Sequence, residues 1–328
     1  MSTRLADIAA HAGVSEATVS RVLNGKPGVS AQTREAVVTA LNQLGYERPA
    51  RPASARAGLV GLIVAELDNP IFPAFAQVIE NTLAVHGYTS VLGALAPGGI
   101  NEDDYTELLL ERGVSGIIFV SGLHADSAAD HARYKRLIDR GLPIVLINGF
   151  AEGLDATFVS SDDAASMELS VAHLADLGHR RIGLAVGQER FAPVIRKTRG
   201  YRAGMERLGV KDAGGWIANT IFTVEGGVAA GQRLLDKGCT AICCGSDIMA
   251  LGVIRAARQR GLRVPEDVSV VGYDDMLLSR LSTPSLSTIR QDNLRAGQLL
   301  VASVLDTSGE DMPSLLPTEL VIRESCGG

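Results

Sequence analysis

Apolar side chains recur at helical spacing through the first 45 residues, which predicts a small bundle of short helices. The buried stripe of a first helix is formed by Leu5, Ile8, Ala9 and Ala12. Gly13 follows as a turn residue, because a left-handed backbone costs glycine no steric penalty. Ser15 stands where an N-cap belongs, at the start of a second helix predicted over Glu16 to Asn24. The pattern therefore predicts two short helices joined by a glycine turn.

A third helix is predicted after Ser30, which can cap it, and it should end at Gly45. Its predicted buried stripe consists of Ala36, Val37, Ala40, Leu41 and Leu44. Two short helices with a third packed across them have the form of a helix-turn-helix module. The alternative is an ordinary three-helix bundle without a DNA-binding role.

From Gly58 onward, short apolar runs alternate with amphipathic segments. Strands are predicted at Gly58–Ala65, Thr89–Leu95, Gly116–Val120, Pro143–Asn148, Arg181–Gly187, Trp216–Phe222, Thr240–Gly245 and Val268–Tyr273. Intervening helices are predicted at Phe72–Val85, Ala164–Leu177, Val194–Leu208 and Asp247–Arg260. This alternation predicts parallel sheets covered by helices on both faces, and the number of strands favours two Rossmann-like subdomains.

Charge divides the chain in the same place as the apolar pattern. The whole chain has a formal net charge of -6, yet residues 1–58 hold seven Lys and Arg against four Asp and Glu. The remaining residues hold 24 basic against 33 acidic side chains. A basic head on an acidic body favours attraction of the head to phosphate, so the charge supports DNA binding by the helical module.

The second helix presents the side chains that this interpretation needs. Nine residues span about 14 Å, which matches a major groove about 12 Å wide. Arg21 can bond a guanine edge twice, whereas Ser20 and Asn24 can reach bases or phosphates. Glu16 can accept from a cytosine amine, and Ala17 admits a thymine methyl.

Neither metal nor cofactor chemistry is indicated. The four cysteines, at positions 239, 243, 244 and 326, form neither a zinc spacing nor a plausible set of disulfides. No G-x-G-x-x-G follows the first strand, and no phosphate-binding loop or nucleophile–base pair is present, which argues against an enzyme. No signal peptide or membrane-length apolar run occurs, so a cytoplasmic location is expected and a secreted solute-binding protein is disfavoured.

The segment ADIAAHAGVSEATVSRVLNGKPGVSAQTREAVVTALNQLGY resembles the head of the LacI/GalR family of bacterial transcription repressors. The motifs NPIFPAF, HLADLGHRRIGLAVG, SDIMALGVIRAARQRGLRVPEDVSVVGYDDM and LSTIRQD follow in the family's order. The resemblance implies an α/β protein in which an all-α helix-turn-helix head is joined by a hinge to a two-lobed, periplasmic-binding-protein-like domain with parallel sheets. It implies a homodimer on a palindromic operator, controlled by a small effector.

The resemblance also implies domain bounds. We expect a DNA-binding domain at residues 1–46, a hinge at 47–58 and an effector-binding and dimerisation domain at 59–328. Within the last, one lobe takes about 59–158 and 290–317, and the other about 159–289 and 318–328. Chain crossings between lobes are expected near Phe158–Asp162, Ser287–Asp292 and Pro317–Leu320.

The hinge departs from the family pattern. Where the family places a leucine that wedges into the minor groove, this chain offers Ala55, and Pro52 lies in the segment. We expect weaker intercalation, with Arg48, Arg51 and Arg56 holding the minor groove; the alternative is a normal helix starting at Pro52. The full set of candidate DNA-binding residues is Ser15, Glu16, Ala17, Thr18, Ser20, Arg21, Asn24, Lys26, Ser30, Thr33, Tyr46, Arg48, Arg51, Ala55 and Arg56.

The effector site is expected at the carboxyl ends of the strands, between the lobes. Candidate residues there are Phe72, Ser121, Asn148, Arg196, Lys197, Phe222, Ser246 and Asp274. The family's effector-binding arginine corresponds to Lys197 with Arg196 beside it, and the sequence does not separate the two. Ser246 stands where the family usually has asparagine. Aromatic rings, amides, a carboxylate and a cation suit a polyhydroxylated ligand, and the same groups would suit a purine, a nucleoside or a sugar phosphate. We expect a sugar or sugar derivative rather than a purine. Whether the effector induces or co-represses stays open.

Overall fold

The computed structural model describes residues 4–23, 28–46, 57–96, 98–149, 153–210, 212–307 and 313–327. Three helices form the N-terminal head, namely α1 Leu5–Ala12, α2 Glu16–Leu23 and α3 Ala31–Gln43. Gly13 ends α1 in a left-handed conformation with φ of 66°. The buried core of the head consists of Ile8, Ala9, Val19, Val22, Val37 and Ala40. The helix-turn-helix prediction is therefore confirmed in its fold.

Two details of the head differ from the prediction. Ala36 is exposed, whereas Val37 and Ala40 are buried. The buried face of α3 is centred on positions 37, 40, 41 and 44, and Ala36 lies about 100° away from Val37 around a helix of 3.6 residues per turn. The second helix ends at Leu23, and Asn24 lies outside the described residues.

Twelve strands and nine further helices follow among the described residues. The strands are β1 Gly58–Val64, β2 Tyr88–Ala94, β3 Ile117–Val120, β4 Ile144–Ile147, β5 Thr157–Ser161, β6 Ile182–Val186, β7 Ile217–Asn219, β8 Ala241–Cys244, β9 Ser269–Asp274, β10 Ser287–Gln291, β11 Leu315–Leu316 and β12 Thr318–Val321. The helices are α4 Ile71–Val85, α5 Glu102–Glu111, α6 Ala132–Asp139, α7 Asp163–Asp176, α8 Ala192–Arg207, α9 Val224–Asp236, α10 Asp247–Gln259, α11 Leu277–Leu281 and α12 Asn293–Val304.

The strands form two sheets of six. One has the order β11-β5-β4-β3-β1-β2, and the other has the order β12-β10-β9-β8-β6-β7. Neighbouring strands are parallel in both sheets, except that β10 and β12 are antiparallel. The first sheet with its helices is called the N-lobe below, and the second is called the C-lobe.

Each sheet is covered by helices on both faces. Val60, Leu62 and Val64 of β1 pack with α4 and α12, whereas Ile63 packs with α5 and α6, because successive strand residues point to opposite faces. In the C-lobe, α7 and α8 cover one face, and α9 and α10 cover the other. The interiors are apolar on both sides, which explains the continuous apolar runs of the strands.

The chain passes between the lobes three times. It leaves the N-lobe after β5, returns between β10 and α12, and leaves again at Pro317 between β11 and β12. All eight strands predicted from apolar runs are present. The strand expected over Trp216–Phe222 is shorter than predicted, because Gly214–Trp216 forms a 3-10 turn and β7 covers only Ile217–Asn219. No described helix is long and apolar enough to cross a membrane.

Candidate functional site

The exposed face of α2 is the candidate DNA-reading surface. Val19 and Val22 hold the helix against the head core, which leaves Glu16, Ala17 and Arg21 exposed and Ser20 half-buried on the other side. The arrangement presents a short helix with an acid, a small residue, a hydroxyl and a guanidinium. These are the groups that the sequence interpretation placed in the major groove.

Two predicted DNA-binding hydroxyls, those of Ser15 and Ser30, act as helix caps, and each contacts a second predicted hydroxyl. The Ser15 hydroxyl accepts from the backbone N–H of Thr18 at 3.2 Å, and the Ser30 hydroxyl accepts from that of Thr33 at 3.1 Å. Within each pair the two side-chain oxygens also lie within 2.9 Å of each other. Such caps fix the start of α2 and α3, where unpaired N–H groups favour phosphate.

The remaining head candidates fall into two groups. Tyr46 is half-buried and packs against the head core. The candidates that lie outside the described residues are Asn24, Lys26, Arg48, Arg51, Ala55 and Arg56, together with the hinge residue Pro52.

Asp163, a residue that the sequence analysis did not single out, organises the cations of the cleft. Its Oδ1 accepts from Lys197 Nζ at 2.5 Å and from the Tyr273 hydroxyl at 2.9 Å. Its Oδ2 accepts from Arg196 Nε at 2.9 Å. Asp163 is the first residue of α7, directly after the first crossing, and Arg196 and Lys197 lie on α8, which packs along α7. The two predicted cations therefore share one buried carboxylate.

Arg196 and Lys197 nevertheless occupy different environments. The Lys197 side chain is 6% exposed, and its Nζ lies 3.7 Å from the centre of the Tyr273 ring. The Arg196 side chain is 17% exposed, and its Nη2 donates to the backbone oxygen of Asn148 across the cleft at 3.3 Å. Lys197 is thus part of the C-lobe interior, whereas Arg196 faces the opposite lobe.

Asp274, at the end of β9, is a buried carboxylate whose side-chain hydrogen bond goes to an amide rather than to a cation. Its Oδ1 accepts from Gln291 Nε2 at 2.7 Å, and Gln291 Oε1 accepts in turn from Ser161 Oγ at 2.7 Å. Burial raises the pKa of Asp274 well above its ordinary value, and the nearby Asp247 raises it further. The adjacent Asp275, by contrast, pairs with Arg280, Arg290 and Arg323. These bonds connect Asp274 to β10 and β5, where the chain crosses between lobes.

The predicted residues Ser246 and Phe222 complete the C-lobe edge. The Ser246 hydroxyl caps α10 by accepting from Met249 N. Phe222 is half-buried against the C-lobe cores, and its ring fills the space where a Cβ on Gly187 would collide and lies close beside Gly245. The neighbouring Asp247 is fully buried and accepts from Met276 N, Ser279 and Thr288. Both of its carboxylate oxygens therefore serve internal hydrogen bonds that hold β10 and α11 against α10.

The three candidate residues on the N-lobe edge are uncharged. Asn148 Nδ2 donates to Ser121 Oγ at 2.9 Å, and both residues have left-handed backbones with φ of 67° and 55°. Such positions are uncommon for residues other than glycine and cluster at ligand sites. Phe72, on α4, is half-buried against the N-lobe core. The three predicted N-lobe residues therefore supply an amide, a hydroxyl and a ring.

A second contact between the lobes lies in the loops after β3 and β6, and sequence analysis did not find it. The Ser127 N–H and hydroxyl both donate to the Arg190 backbone oxygen at 2.8 Å. Asp126 forms a β-bridge with Phe191, and its Oδ2 lies 3.3 Å from Arg190 Nε. We call these four residues the clasp. The residues that pair in it are more than sixty positions apart, and no local motif marks them.

Metal binding has no support within the described ranges. They contain no group of three or more His, Cys, Asp or Glu side chains that could hold an ion. All four cysteines are buried and free.

Comparison with known families places both parts of the chain. Residues 4–49 match the model described as bacterial regulatory proteins, lacI family, and residues 171–326 match the periplasmic binding protein-like domain. The HTH-type transcriptional regulator reg1 of Streptomyces lividans is 54% identical over 99% of this chain and 97% of its own length.

Solved structures agree over the full length. A transcriptional regulator CelR–cellobiose complex matches with a TM-score of 0.73 and 31% identity, covering 98% of this chain and 99% of that one. The lac repressor dimer bound to operator and the anti-inducer ONPF matches with a TM-score of 0.72 and 27% identity, covering 99% of each chain.

Proposed function

This chain belongs to the lacI family of bacterial regulatory proteins, and we propose that it is a homodimeric repressor whose hold on a palindromic operator is set by a sugar bound between its lobes. It is a DNA-binding transcriptional regulator of helix-turn-helix type. The observation that carries the effector proposal is the buried carboxyl of Asp274 at the end of β9, whose pKa is raised, together with the amide of Asn148 and the hydroxyl of Ser121 at the strand ends of the other lobe.

On the DNA side, α2 enters the major groove. Arg21 reads guanine and Ser20 contacts bases or phosphates, while Glu16 and Ala17 sense the neighbouring pairs. The capped starts of α2 and α3, at Ser15, Thr18, Ser30 and Thr33, approach phosphates. The basic hinge residues Arg48, Arg51 and Arg56 add minor-groove attraction without a leucine wedge. DNA bending smaller than that of leucine-bearing relatives would support this hinge.

In the cleft, a sugar suits the groups better than a purine or an anion. Asp274 accepts from paired hydroxyls, Asn148 and Ser121 bond further hydroxyls, and Phe72 and Phe222 offer aromatic surface to CH faces. The neighbouring CelR structure holds cellobiose, which supports the sugar class. We assign the ligand-facing cation to Arg196, since Lys197 is enclosed between Asp163 and Tyr273.

The same residues connect the ligand to the lobe angle. Asp274 bonds Gln291, and Gln291 bonds Ser161. Gln291 ends β10 and Ser161 ends β5, the two strands after which the chain crosses between the lobes. A sugar that rearranges Asp274 therefore acts on the segments about which the lobes turn. The resulting coupling free energy is reciprocal: sugar changes the affinity for operator by the same factor by which operator changes the affinity for sugar.

The division of the chain follows from this function. Residues 1–46 form the DNA-binding domain, 47–58 the hinge and 59–328 the regulatory domain. The relatives are transcriptional regulators rather than enzymes, and we propose that this chain binds its ligand without transforming it, in the cytoplasm, where the operator lies.

The test is binding of the full-length protein to a palindromic operator and to a scrambled duplex, with and without a panel of sugars. We expect a large preference for the operator, a steep salt dependence and a change in operator affinity with one class of sugar. Equal binding to both duplexes would contradict the DNA role. A response to purines but not to any sugar would contradict the effector class.

A further inference from the structure

A buried histidine, His124, lies behind the N-lobe edge of the cleft, outside every set of residues assigned above. It belongs to a short 3-10 turn at Leu123–Ala125, in the loop after β3, and it is 1% exposed. Its Nε2 donates to the backbone oxygen of Ile147 at 2.8 Å. The same oxygen accepts from the Ser121 N–H at 3.1 Å. One carbonyl therefore joins the loop after β3 to the end of β4.

That carbonyl belongs to the peptide that precedes Asn148. The N–H of the same peptide, which is that of Asn148, donates to the Val159 oxygen at 3.1 Å, so the peptide plane is held from both sides. Asn148 then adopts its left-handed backbone, and its Nδ2 donates to Ser121 Oγ. The bond from His124 thus acts on the peptide that directs the Asn148 side chain, and through it on the Ser121 hydroxyl.

The His124 ring also occupies the space between the two left-handed turns. A Cβ on Gly149 would collide with the ring, and a Cβ on Gly122 would lie 3.4 Å from its Nδ1. These two glycines directly follow Asn148 and Ser121. The ring therefore lies beside both turns and contacts the backbone that positions the amide and the hydroxyl.

Two further buried side chains hold His124 in this place. Its backbone N–H donates to the Tyr134 hydroxyl at 2.8 Å, and that hydroxyl donates to Glu102 Oε1. Glu102 Oε2 accepts from the Leu123 N–H at 3.0 Å. The rings of His124 and Tyr134 meet edge to face, with their centres 5.7 Å apart. The turn that carries the histidine is thus fixed independently of any ligand.

The His124 ring is neutral, with its proton on Nε2. Burial, with a smaller contribution from His131, lowers the pKa of His124 to about 4. A neutral imidazole has one N–H, and the Ile147 carbonyl can only accept. Among the described residues, Nδ1 has no hydrogen-bond partner. The single side-chain bond of this ring therefore goes to the edge of the cleft.

We propose that His124 is the positioning residue of the N-lobe edge, which fixes the directions in which Asn148 and Ser121 meet a ligand. It acts through these two residues, because its own ring is buried behind them. The inference rests on the proposed sugar-effector function and adds to it a residue that decides which arrangement of sugar hydroxyls is accepted.

The experiment compares four full-length proteins, namely the wild type, His124→Leu, His124→Gln and the control His179→Leu. Leucine is similar in size and has no donor, whereas the glutamine amide can place its nitrogen near that of the lost Nε2. The Ile147 oxygen keeps its bond from Ser121 N–H in every variant, so the fold should persist. His179 bonds two hydroxyls at the amino ends of the C-lobe strands, away from the cleft.

The first measurement is hydrogen–deuterium exchange of the sugar-free proteins. In His124→Leu, the peptides that contain Ser121 and Asn148 should exchange about fivefold faster, which corresponds to the loss of one neutral hydrogen bond. His124→Gln should return their exchange towards that of the wild type. His179→Leu should leave these peptides unchanged.

The second measurement is isothermal titration with glucose, galactose, mannose, maltose, cellobiose and lactose. Each sugar in this panel has a partner that differs from it at one stereocentre. The ratio of the affinities for the best sugar and for its partner should fall about fivefold in His124→Leu. This ratio should recover in His124→Gln and stay at the wild-type value in His179→Leu.

A cooperative melt and unchanged operator affinity without sugar verify that each variant folds. If His124→Leu does not fold, His124→Asn takes its place, because its shorter amide cannot reach the Ile147 oxygen. Unchanged exchange or an unchanged affinity ratio in the donor-free variant overturns the positioning role, and so does a His124→Gln protein that behaves like it. In those cases the sugar-effector function still stands. Absence of binding of every sugar by the wild type contradicts the sugar function itself, and the role of His124 in selectivity falls with it.

Discussion

The candidate residues on the two edges of the cleft differ in charge and in backbone conformation. The C-lobe edge concentrates charge, with Asp163, Arg196, Lys197 and Asp274 on three neighbouring elements. The N-lobe edge has no ionised group among its candidates and instead holds Ser121 and Asn148 in left-handed backbones. In the C-lobe, Asp163 already pairs with Arg196 and Lys197 in the absence of a ligand. In the N-lobe, strained left-handed backbones hold the neutral side chains of Ser121 and Asn148 in place. Affinity should therefore depend mainly on the C-lobe, and ligand orientation on the N-lobe.

The largest effect should come from Asp163→Ala. Removing the shared carboxylate leaves Lys197 buried without its counter-ion and releases Arg196, and breaking a buried pair costs about 3–5 kcal/mol. Urea denaturation measures the free energy of unfolding. Glu168→Ala is the matched control, since it removes an acid from the same helix whose partner Arg207 is exposed, and should cost about 1 kcal/mol or less. Equal losses in the two variants would mean that the Asp163 network is not what stabilises the C-lobe edge.

Asp274→Ala should abolish the effector response while leaving operator affinity unchanged. Leaving buried hydroxyls of the sugar without their hydrogen-bond partner costs about 1–3 kcal/mol, so sugar affinity should fall by about tenfold to a hundredfold. Titration of sugar and of operator on the same preparation separates the two effects. Loss of both would indicate a folding role for Asp274.

The raised pKa of Asp274 gives this residue a pH signature, tested with Asp274→Asn. A carboxyl whose pKa is raised on folding contributes stability that is fully present below its unfolded value of about 3.9 and is lost as pH rises through the folded value. Asp274→Asn should therefore flatten the decline in stability of the sugar-free protein over that window. Thermal melts from pH 4 upward measure it, and parallel pH profiles for both proteins would refute the assignment.

A smaller effect should distinguish Arg196 from Lys197. Arg196→Met should lower sugar affinity about tenfold with little loss of stability, because its guanidinium faces the N-lobe. Lys197→Met should lower stability more than sugar affinity, because its ammonium is enclosed by Asp163 and Tyr273. Sugar titration and denaturation of both variants provide the comparison. The opposite division would make Lys197 the ligand-facing cation.

The smallest effect is expected at the clasp. Arg190 is 54% exposed on its side chain, so its ion pair with Asp126 should contribute about 1 kcal/mol or less. Asp126→Asn should shift the operator affinity of the sugar-free protein by no more than about fivefold. The size of this shift should decrease as salt is added, because salt screens the ion pair. A shift that is independent of salt would attribute the clasp to the Ser127 bonds instead.

Local patterns and distant contacts differ in how far the sequence reveals them. Ile8, Gly13, Ser15 and Val19 define the head within a dozen positions, and its fold was predictable. Apolar runs likewise predicted the buried strands, whereas β10 was expected only through the family's crossing, because STIRQ has little apolar content. Helix α3 shows the limit even of local patterns, since Ala36 lies beside the stripe that it was assigned to.

The site was predictable residue by residue but not as a network. Asp274 and Phe222 could be placed at strand ends, yet the role of Asp163 depends on α7 and α8 packing so closely that Gly200 lies against the Ala164 backbone. The bonds from Asp163 span 33 to 110 positions. Its one local signal was its place as the first helical residue after the crossing at Asp162.

The three crossings also impose an order on synthesis. The N-lobe core includes Ala296, Leu299, Leu300 and Val304 of α12, which a ribosome makes only after almost all of the C-lobe. The head, by contrast, is complete when the first 46 residues have emerged, and domains generally fold as units during synthesis. A nascent or truncated chain would therefore hold a folded DNA-binding head long before it holds a sensor. Because the proposed dimer depends on the later residues, such a head could engage only one half of a palindromic operator.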